Sequence, residues 1–271
     1  MRERVRQRLE QMRLQRSGAF SDATRGDYQH LARREGNPVQ RFWHAHKWPL
    51  VEEQLQLRPG DRVLDVGAGS SEVPLQLATR CALACALDVS PAPLRFLRDL
   101  TGAAGRLHLA AGDLHALPFR DASFDRIAVL EVVEHVPGEG IPRYLAGLRR
   151  LLAPGGRLLL TTPNYRSYWP VLEFLIDHLG GAAQMGGHQH VTRFHARRLR
   201  ACLEENGFRV VHSGSAYHLS PFLSPLAPAL AERLFSWETR RGGSLGPILY
   251  SVAEPRQSPG GDTASRSRAP W

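Results

Sequence analysis

The sequence predicts a doubly wound α/β fold, a mostly parallel seven-stranded sheet with helices on both faces and a helical N-terminal extension. Three observations predict it. From Pro59 onward, short apolar runs alternate with helix-length amphipathic stretches. One run, Val63-Leu64, ends in Asp65-Val-Gly-Ala-Gly-Ser-Ser71, a carboxylate followed by a glycine turn where a strand passes into a helix. Further on, Leu151-Leu-Ala-Pro-Gly-Gly-Arg-Leu-Leu-Leu160 reads as a helix end, a tight turn and a buried strand.

The elements follow in order. Residues 2–16 read as a basic amphipathic helix with Val5, Leu9 and Met12 on one face, a solvated helix rather than a nucleic-acid arm. Residues 17–37 are polar and read as a linker. Pro38 opens the segment containing Arg41-Phe-Trp-His-Ala-His-Lys-Trp48, which continues helix-like to Leu57. Strands are expected at 62–66, 82–88, 106–110, 124–130, 156–162, 208–212 and 247–253, and helices at 71–80, 92–101, 141–152 and 195–206. The domain plan is a helical extension or lid over 1–58 and a catalytic domain over 59–254, with insertions at about 165–190 and 216–240. The Gly/Ser/Pro/Arg-rich stretch 255–271 is expected to be a disordered tail.

Charge and cysteine content narrow the function. The net charge of +9 sits at the ends: residues 1–50 hold eleven basic and five acidic side chains, whereas 51–255 hold 21 and 20. A nearly neutral centre argues against an extended nucleic-acid surface. Lys47 is the only lysine among 35 basic residues, a bias that removes weight from arguments based on arginine number. Cys81, Cys85 and Cys202 supply no disulfide framework and no metal-type pair, which suits a reducing compartment. With no apolar run of the roughly 18 residues a membrane span needs, and no secretory signal, a cytoplasmic location is expected.

The glycine turn selects the ligand. A dinucleotide turn would carry a third glycine where Glu72 stands, and Asp65 and Glu72 would flank a pyrophosphate with negative charge. A cationic ligand reverses the argument, and S-adenosylmethionine carries an ammonium and a sulfonium. Asp88 ends the second expected strand, where a carboxylate can accept both ribose hydroxyls. Asp113, in Gly112-Asp113-Leu114, follows the third, and the fourth runs from Phe124-Asp125 into Glu131.

With these motifs in this order, residues 59–213 resemble the class I S-adenosylmethionine-dependent methyltransferases, Rossmann-like enzymes, and within them the small-molecule group. The resemblance implies that Asp65, Gly67, Ala68 and Gly69 face the methionine part of the cofactor, Asp88 and Val89 the ribose, Asp113 and Leu114 the adenine, and that Glu131 touches the cofactor. Ser71 stands where the family often has glycine. Glu131-Val-Val-Glu134-His135 resembles the Glu-x-x-Glu-His motif of ubiquinone-pathway O-methyltransferases and small-RNA 2′-O-methyltransferases, with His190 as the later histidine. That likeness implies either general-base work by His135 or His190 beside Glu134, or, less favoured, a divalent metal on Glu131, Glu134, His135 and His190.

The acceptor is expected to be a small molecule methylated at oxygen, aromatic, lipid-like or glycosidic. Phe42, Trp43, His44 and Trp48 could form a lid. Tyr165–Gly181, with Tyr168, Trp169, Phe174 and Leu175, and residues 216–240, with Leu226, Leu230 and Leu234 spaced by four, could line a pocket. Peripheral contact with an anionic membrane is a minor alternative, disfavoured by Pro221, Pro225 and Pro228. An RNA methyltransferase and a non-catalytic cofactor-binding protein remain competing readings. The sequence is silent on oligomeric state.

Overall fold

The computed structural model describes residues 26–101, 106–113, 116–172, 174 and 190–256. The helix expected over 2–16, Leu114, Leu175, the stretch Gly187-His188-Gln189 and the tail beyond Arg256 lie outside the described residues.

Seven strands form one sheet: β1 (Arg62–Val66), β2 (Leu83–Asp88), β3 (Leu107–Ala111), β4 (Phe124–Leu130), β5 (Leu152–Pro163), β6 (Phe208–Ala216) and β7 (Ile248–Pro255). The order is β3-β2-β1-β4-β5-β7-β6, with β7 antiparallel to both neighbours. The chain winds outward from β1 through β2 to β3, then returns to place β4 on the other side of β1. The crevice beyond the carboxyl ends of β1 and β4 is therefore the topological switch point, where such sheets take their ligands.

Both faces of the central strands are buried, which is why they read as continuous apolar runs. Leu64, Val66, Ile127, Val129, Leu158 and Leu160 face a layer that includes α6 (Ile141–Leu151) and α7 (Ala196–Glu205). Val63, Ala84, Ala128, Leu130 and Leu159 face α3 (Lys47–Leu55), α4 (Val73–Arg80) and α9 (Pro228–Arg241). Helix α5 (Pro91–Thr101) covers β2 and β3 through Leu94 and Leu97. Burying a leucine or valine of this kind contributes about 1.5–3 kcal/mol, so strand alternation fixes the register of the whole centre.

Three expectations need correction. The polar stretch 17–37 is not all linker, because Tyr28–Glu35 forms helix α1. Only Ala32 of that helix is buried, and polar contacts to the glycine turn hold it, so apolar periodicity could not reveal it. The segment 38–57 is two helices, α2 (Pro38–Ala45) and α3, broken at His46. A capping box between Asn37 and Gln40 starts α2, each residue's side-chain oxygen accepting from the other's backbone N–H.

The third correction concerns 216–240. A short helix, α8 (Ser220–Leu223), precedes α9, and Pro228 starts the 14-residue α9 rather than preventing it, since a first-turn proline loses no helical hydrogen bond. The buried side of α9 carries Ala231, Phe235, Glu238 and Thr239, whereas Leu226 and Leu230 are 85% and 54% exposed. The four-residue leucine spacing therefore does not mark a pocket wall.

Candidate active site

The glycine turn after β1 is built for close approach. Gly67 and Gly69 have φ of 71° and 53°, left-handed values that cost a side-chain-bearing residue free energy. A Cβ at Gly67 would lie 2.4 Å from Val132 Cγ2, so the turn seats directly on the chain beyond β4. The N–H groups of Gly67 and Ala68 bond the Leu87 carbonyl at 2.8 and 3.1 Å. Asp88 completes the clasp, its Oδ2 accepting from the Gly69 N–H at 2.9 Å and its Oδ1 from the Ser90 N–H at 2.8 Å. Val89 is exposed beside it, and Asp113 lies at the carboxyl end of β3, exposed, one strand further out.

Asp65 is 1% exposed, and its Oδ2 has no hydrogen-bond partner. Burial pushes its carboxyl up to about 7; the Lys47 ammonium lowers it and the Asp88 charge raises it further. An unpaired buried carboxylate oxygen is costly in an empty fold and well suited to a cationic ligand. Glu72, by contrast, does not belong to the acidic collar expected from the sequence. Arg33 of α1 pairs with its Oε2, and His30 Nδ1 stands 3.5 Å from Oε1. Helix α1 thus lies against the turn: the Gln29 N–H bonds Ser70 Oγ at 2.9 Å, and the Gln29 amide fills the space a Cβ on Gly69 would need. Ser71, where glycine was expected, is buried with its Oγ unpartnered.

The second cluster of candidate site residues starts at the end of β4. Glu131 has φ of 58°, a strained conformation for a non-glycine residue, and its N–H bonds Thr161. Its Oε2 lies 3.3 Å from Lys47 Nζ. Glu134 and His135 follow in a short 3₁₀ turn, Val133–His135. Glu134 is buried, accepts from Thr162 Oγ1 at 3.0 Å, and is pushed up to about 8 by burial and then by the Glu131 charge, against the hydrogen bonds and Lys47 that favour its ionised form. Thr192 ties the distant segment 190–194 to this turn, its N–H bonding the Glu134 carbonyl at 3.0 Å and its Oγ1 the Val136 carbonyl at 2.7 Å. That staple puts the His135 and His190 rings 5.1 Å apart, and the Tyr165 hydroxyl bonds His190 Nδ1 at 2.8 Å.

Residues 37–213, more than half of the chain, match the family described as "Methyltransferase domain". The chain belongs to that family. It is similar to the demethylmenaquinone methyltransferase of Mycolicibacterium vanbaalenii, at 34% identity over 53% of this chain and 60% of the relative. It is also similar to the ubiquinone/menaquinone biosynthesis C-methyltransferase of Paracoccus denitrificans, at 32% identity over 51% and 55%. The chain spans between about half and two thirds of the length of the curated relatives it matches. Among solved structures, the phosphoethanolamine N-methyltransferase 1 of Haemonchus contortus, in complex with phosphoethanolamine and S-adenosylhomocysteine, superposes with a TM-score of 0.63 at 14% identity, over 89% of this chain and 48% of that one. The likeness to solved structures at this identity shows the shared fold, and the family match shows a methyltransferase domain.

One ligand atom from each of Glu134, His135 and His190 lies within 4.8 Å of the others. The fourth member of the metal set read from the sequence, Glu131, is not in that group; its carboxylate goes to Lys47. What remains is a compact cluster of Glu134, His135 and His190 beyond β4, a donor set that could hold a metal ion as well as move a proton.

Of the expected lid residues, only Trp43 reaches the centre. It stacks on Tyr217 at 4.3 Å and lies 5.9 Å from Trp169, whose ring is 6.4 Å from His190. Phe42 turns into the core against His46 and Phe235, and Trp48 packs in the same layer. His44, edge-on to Tyr28, is pushed down to about 3 by burial and then by Lys47, so it stays neutral. The sequence reading missed Lys47, helix α1 and Tyr217. Only Lys47 had a signal, as the single lysine in an arginine-biased chain.

Proposed function

We propose that this S-adenosylmethionine-dependent methyltransferase methylates a hydroxylated aromatic acceptor of the quinol type. The supporting observation is the cluster of aromatic rings, Trp43, Tyr217, Trp169 and Tyr165, packed beside the His135–His190 pair. Flat rings suit a flat acceptor, and Trp169 Nε1, buried with no partner among the described residues, offers a donor to an acceptor oxygen. The names of the relatives favour carbon rather than oxygen as the methylated atom.

The chemistry balances on this cluster. A histidine takes the proton of an acceptor hydroxyl, and the phenolate's charge enriches the neighbouring ring carbon. S-adenosylmethionine, when bound, would supply the methyl group: its S–CH₃ bond would break as the C–CH₃ bond forms, leaving S-adenosylhomocysteine neutral at sulfur. The ring proton then passes to the second histidine or to water, the oxygen takes back the proton held by the first histidine, and aromaticity returns. Glu134, held protonated near neutral pH by burial, leaves no competing negative charge beside the histidines. Holding the carbon in line with the methyl group supplies much of the gain.

The test uses short-chain hydroquinones deuterated on the ring, with S-adenosylmethionine and mass spectrometry. Methylation at carbon adds CH₃ and removes one deuterium. Methylation at oxygen keeps every deuterium and would return the reading to an O-methyltransferase. Turnover of an alkylamine or RNA with no phenolic product would overturn the proposal.

A further inference from the structure

The chain's only lysine is placed where the cofactor's amino-acid end must lie. Lys47 opens α3 and is 6% exposed, and its ammonium stands 3.3 Å from Glu131 Oε2. It also acts electrostatically on Asp65 at the end of β1 and on Glu134. It is thus the cation at the centre of a set of carboxylates that otherwise offers S-adenosylmethionine only negative charge.

That set suits the sulfonium and the ammonium, but the cofactor's α-carboxylate would meet Asp65, Asp88 and Glu131 as like charges. The basic side chains next to the glycine turn, Arg33 and His30, are engaged with Glu72. We infer that Lys47 Nζ receives the α-carboxylate of S-adenosylmethionine, exchanging its contact with Glu131 for the cofactor's carboxylate. Asp65 and Glu131 are then left to the ammonium and sulfonium. The unpartnered Asp65 Oδ2 and the strained backbone of Glu131 fit a site completed by a zwitterion: among the described residues neither carboxylate is paired with another cation, and the ammonium of Lys47 has a carboxylate to gain. A lysine, with a flexible stem and a point charge, can make that exchange without the fixed fork an arginine would impose. The N-terminal segment is thereby part of the donor site, and the inference holds whichever acceptor is used.

Ligands cut back from the amino-acid end test this. Calorimetry on the full chain compares S-adenosylhomocysteine, its decarboxylated analogue and 5′-methylthioadenosine. In the wild type, loss of the carboxylate should weaken binding at least 30-fold. In Lys47→Met that difference should shrink to within about threefold, with 5′-methylthioadenosine bound as in the wild type. A uniform loss across all three ligands would assign Lys47 a structural role and overturn the inference. Binding of none of them by the wild type would overturn the cofactor assignment together with it.

A second measurement needs no variant. Because Lys47 is the sole lysine, an amine-reactive acetylating reagent labels one side chain, with the chain's terminal amine as internal reference. Saturating S-adenosylhomocysteine should slow Lys47 labelling at least tenfold, and saturating 5′-methylthioadenosine or the decarboxylated analogue should not. Equal protection by all three, or by none, would overturn the inference.

Discussion

The two ends of the same central strands treat acidic residues in opposite ways. At the amino ends of β1 and β4, Asp125 accepts from the Arg62 backbone N–H at 2.9 Å and from its guanidinium at 3.1 and 3.2 Å. Burial alone would raise the Asp125 carboxyl, but the Arg62 hydrogen bonds and charge outweigh it and hold it below its usual range. Asp61 is paired with Arg126 and accepts from the Arg58 N–H. At the carboxyl ends, Asp65 in the last paired residues of β1 and Glu134 in the turn after β4 are buried with an oxygen each unpartnered and are pushed up to about 7 and 8. The amino end uses carboxylates to fix the fold, and the carboxyl end holds carboxyl groups with unpartnered oxygens, raised toward neutral pH, that a cationic ligand and a proton transfer can use. The same residue type serves stability or function according to whether an arginine meets it.

The largest break in that contrast should come from the acid–base cluster. His190→Ala should lower kcat about 10²–10³-fold, with cofactor affinity within about twofold, measured by steady-state kinetics and calorimetry. Equal losses in kcat and cofactor affinity would mean that His190 holds the fold of the site rather than a proton.

Asp65→Asn should separate stability from function. The native Asp65 carboxyl titrates near 7, above its unfolded value. Its stabilising contribution is therefore complete below the unfolded pKa, is lost as pH rises through about 7, and leaves a penalty above it. The asparagine variant should thus be more stable than wild type by on the order of 2–4 kcal/mol at pH 8 and about equal near pH 4, by urea denaturation. Its cofactor affinity should fall, and only the wild type should bind S-adenosylmethionine more tightly as pH rises from 6 to 8. A variant less stable than wild type at pH 8 would mean that Asp65 is structural after all.

The candidate donor side of the site could be read as a cluster in the sequence because it is local. Asp65, the two glycines and Asp88 sit at strand ends that apolar runs mark, and a left-handed turn needs glycine at fixed spacing. Glu131, Glu134 and His135 were legible for the same reason, as one stretch beyond β4. The wall around them was legible only as separate candidates, Trp43, Trp169 and His190, and not as residues that meet. Trp43, Trp169, His190 and Tyr217 come from four distant segments, brought together by Thr192 and by the Tyr168 hydroxyl bonding the carbonyls of Tyr217 and His218. No periodicity encodes such contacts. Glu72 misled for a related reason: a carboxylate's role depends on its partner, and Arg33 lies in a helix whose polarity reads as loop.

At the amino end the effects should be smaller and confined to stability. Asp125→Asn removes the Arg62 pair, and because both side chains are about one-third exposed, solvent screening limits the loss to about 1 kcal/mol. The wild-type advantage should be present above the unfolded aspartate pKa and disappear as pH falls through the depressed native value, the reverse of Asp65. Cofactor affinity should not change. A loss of S-adenosylmethionine binding in Asp125→Asn would couple the two ends of the sheet and dissolve the contrast.

The smallest effect is expected at the outer side of the start of α9 and the turn before it, where Leu230 and Leu226 stand. Leu226 and Leu230 point away from the sheet, and Phe235 and Ala231 do the packing. Leu226→Ser with Leu230→Ser should stay within about 0.5 kcal/mol of wild type in urea denaturation and leave kcat unchanged for a small acceptor. Phe235→Ala, on the opposite side of the same helix and in contact with Phe42 and Tyr217, should cost about 3–5 kcal/mol. If the two outward leucines cost as much as Phe235, the buried side of α9 would be wrongly assigned, and with it the placement of Tyr217 against Trp43.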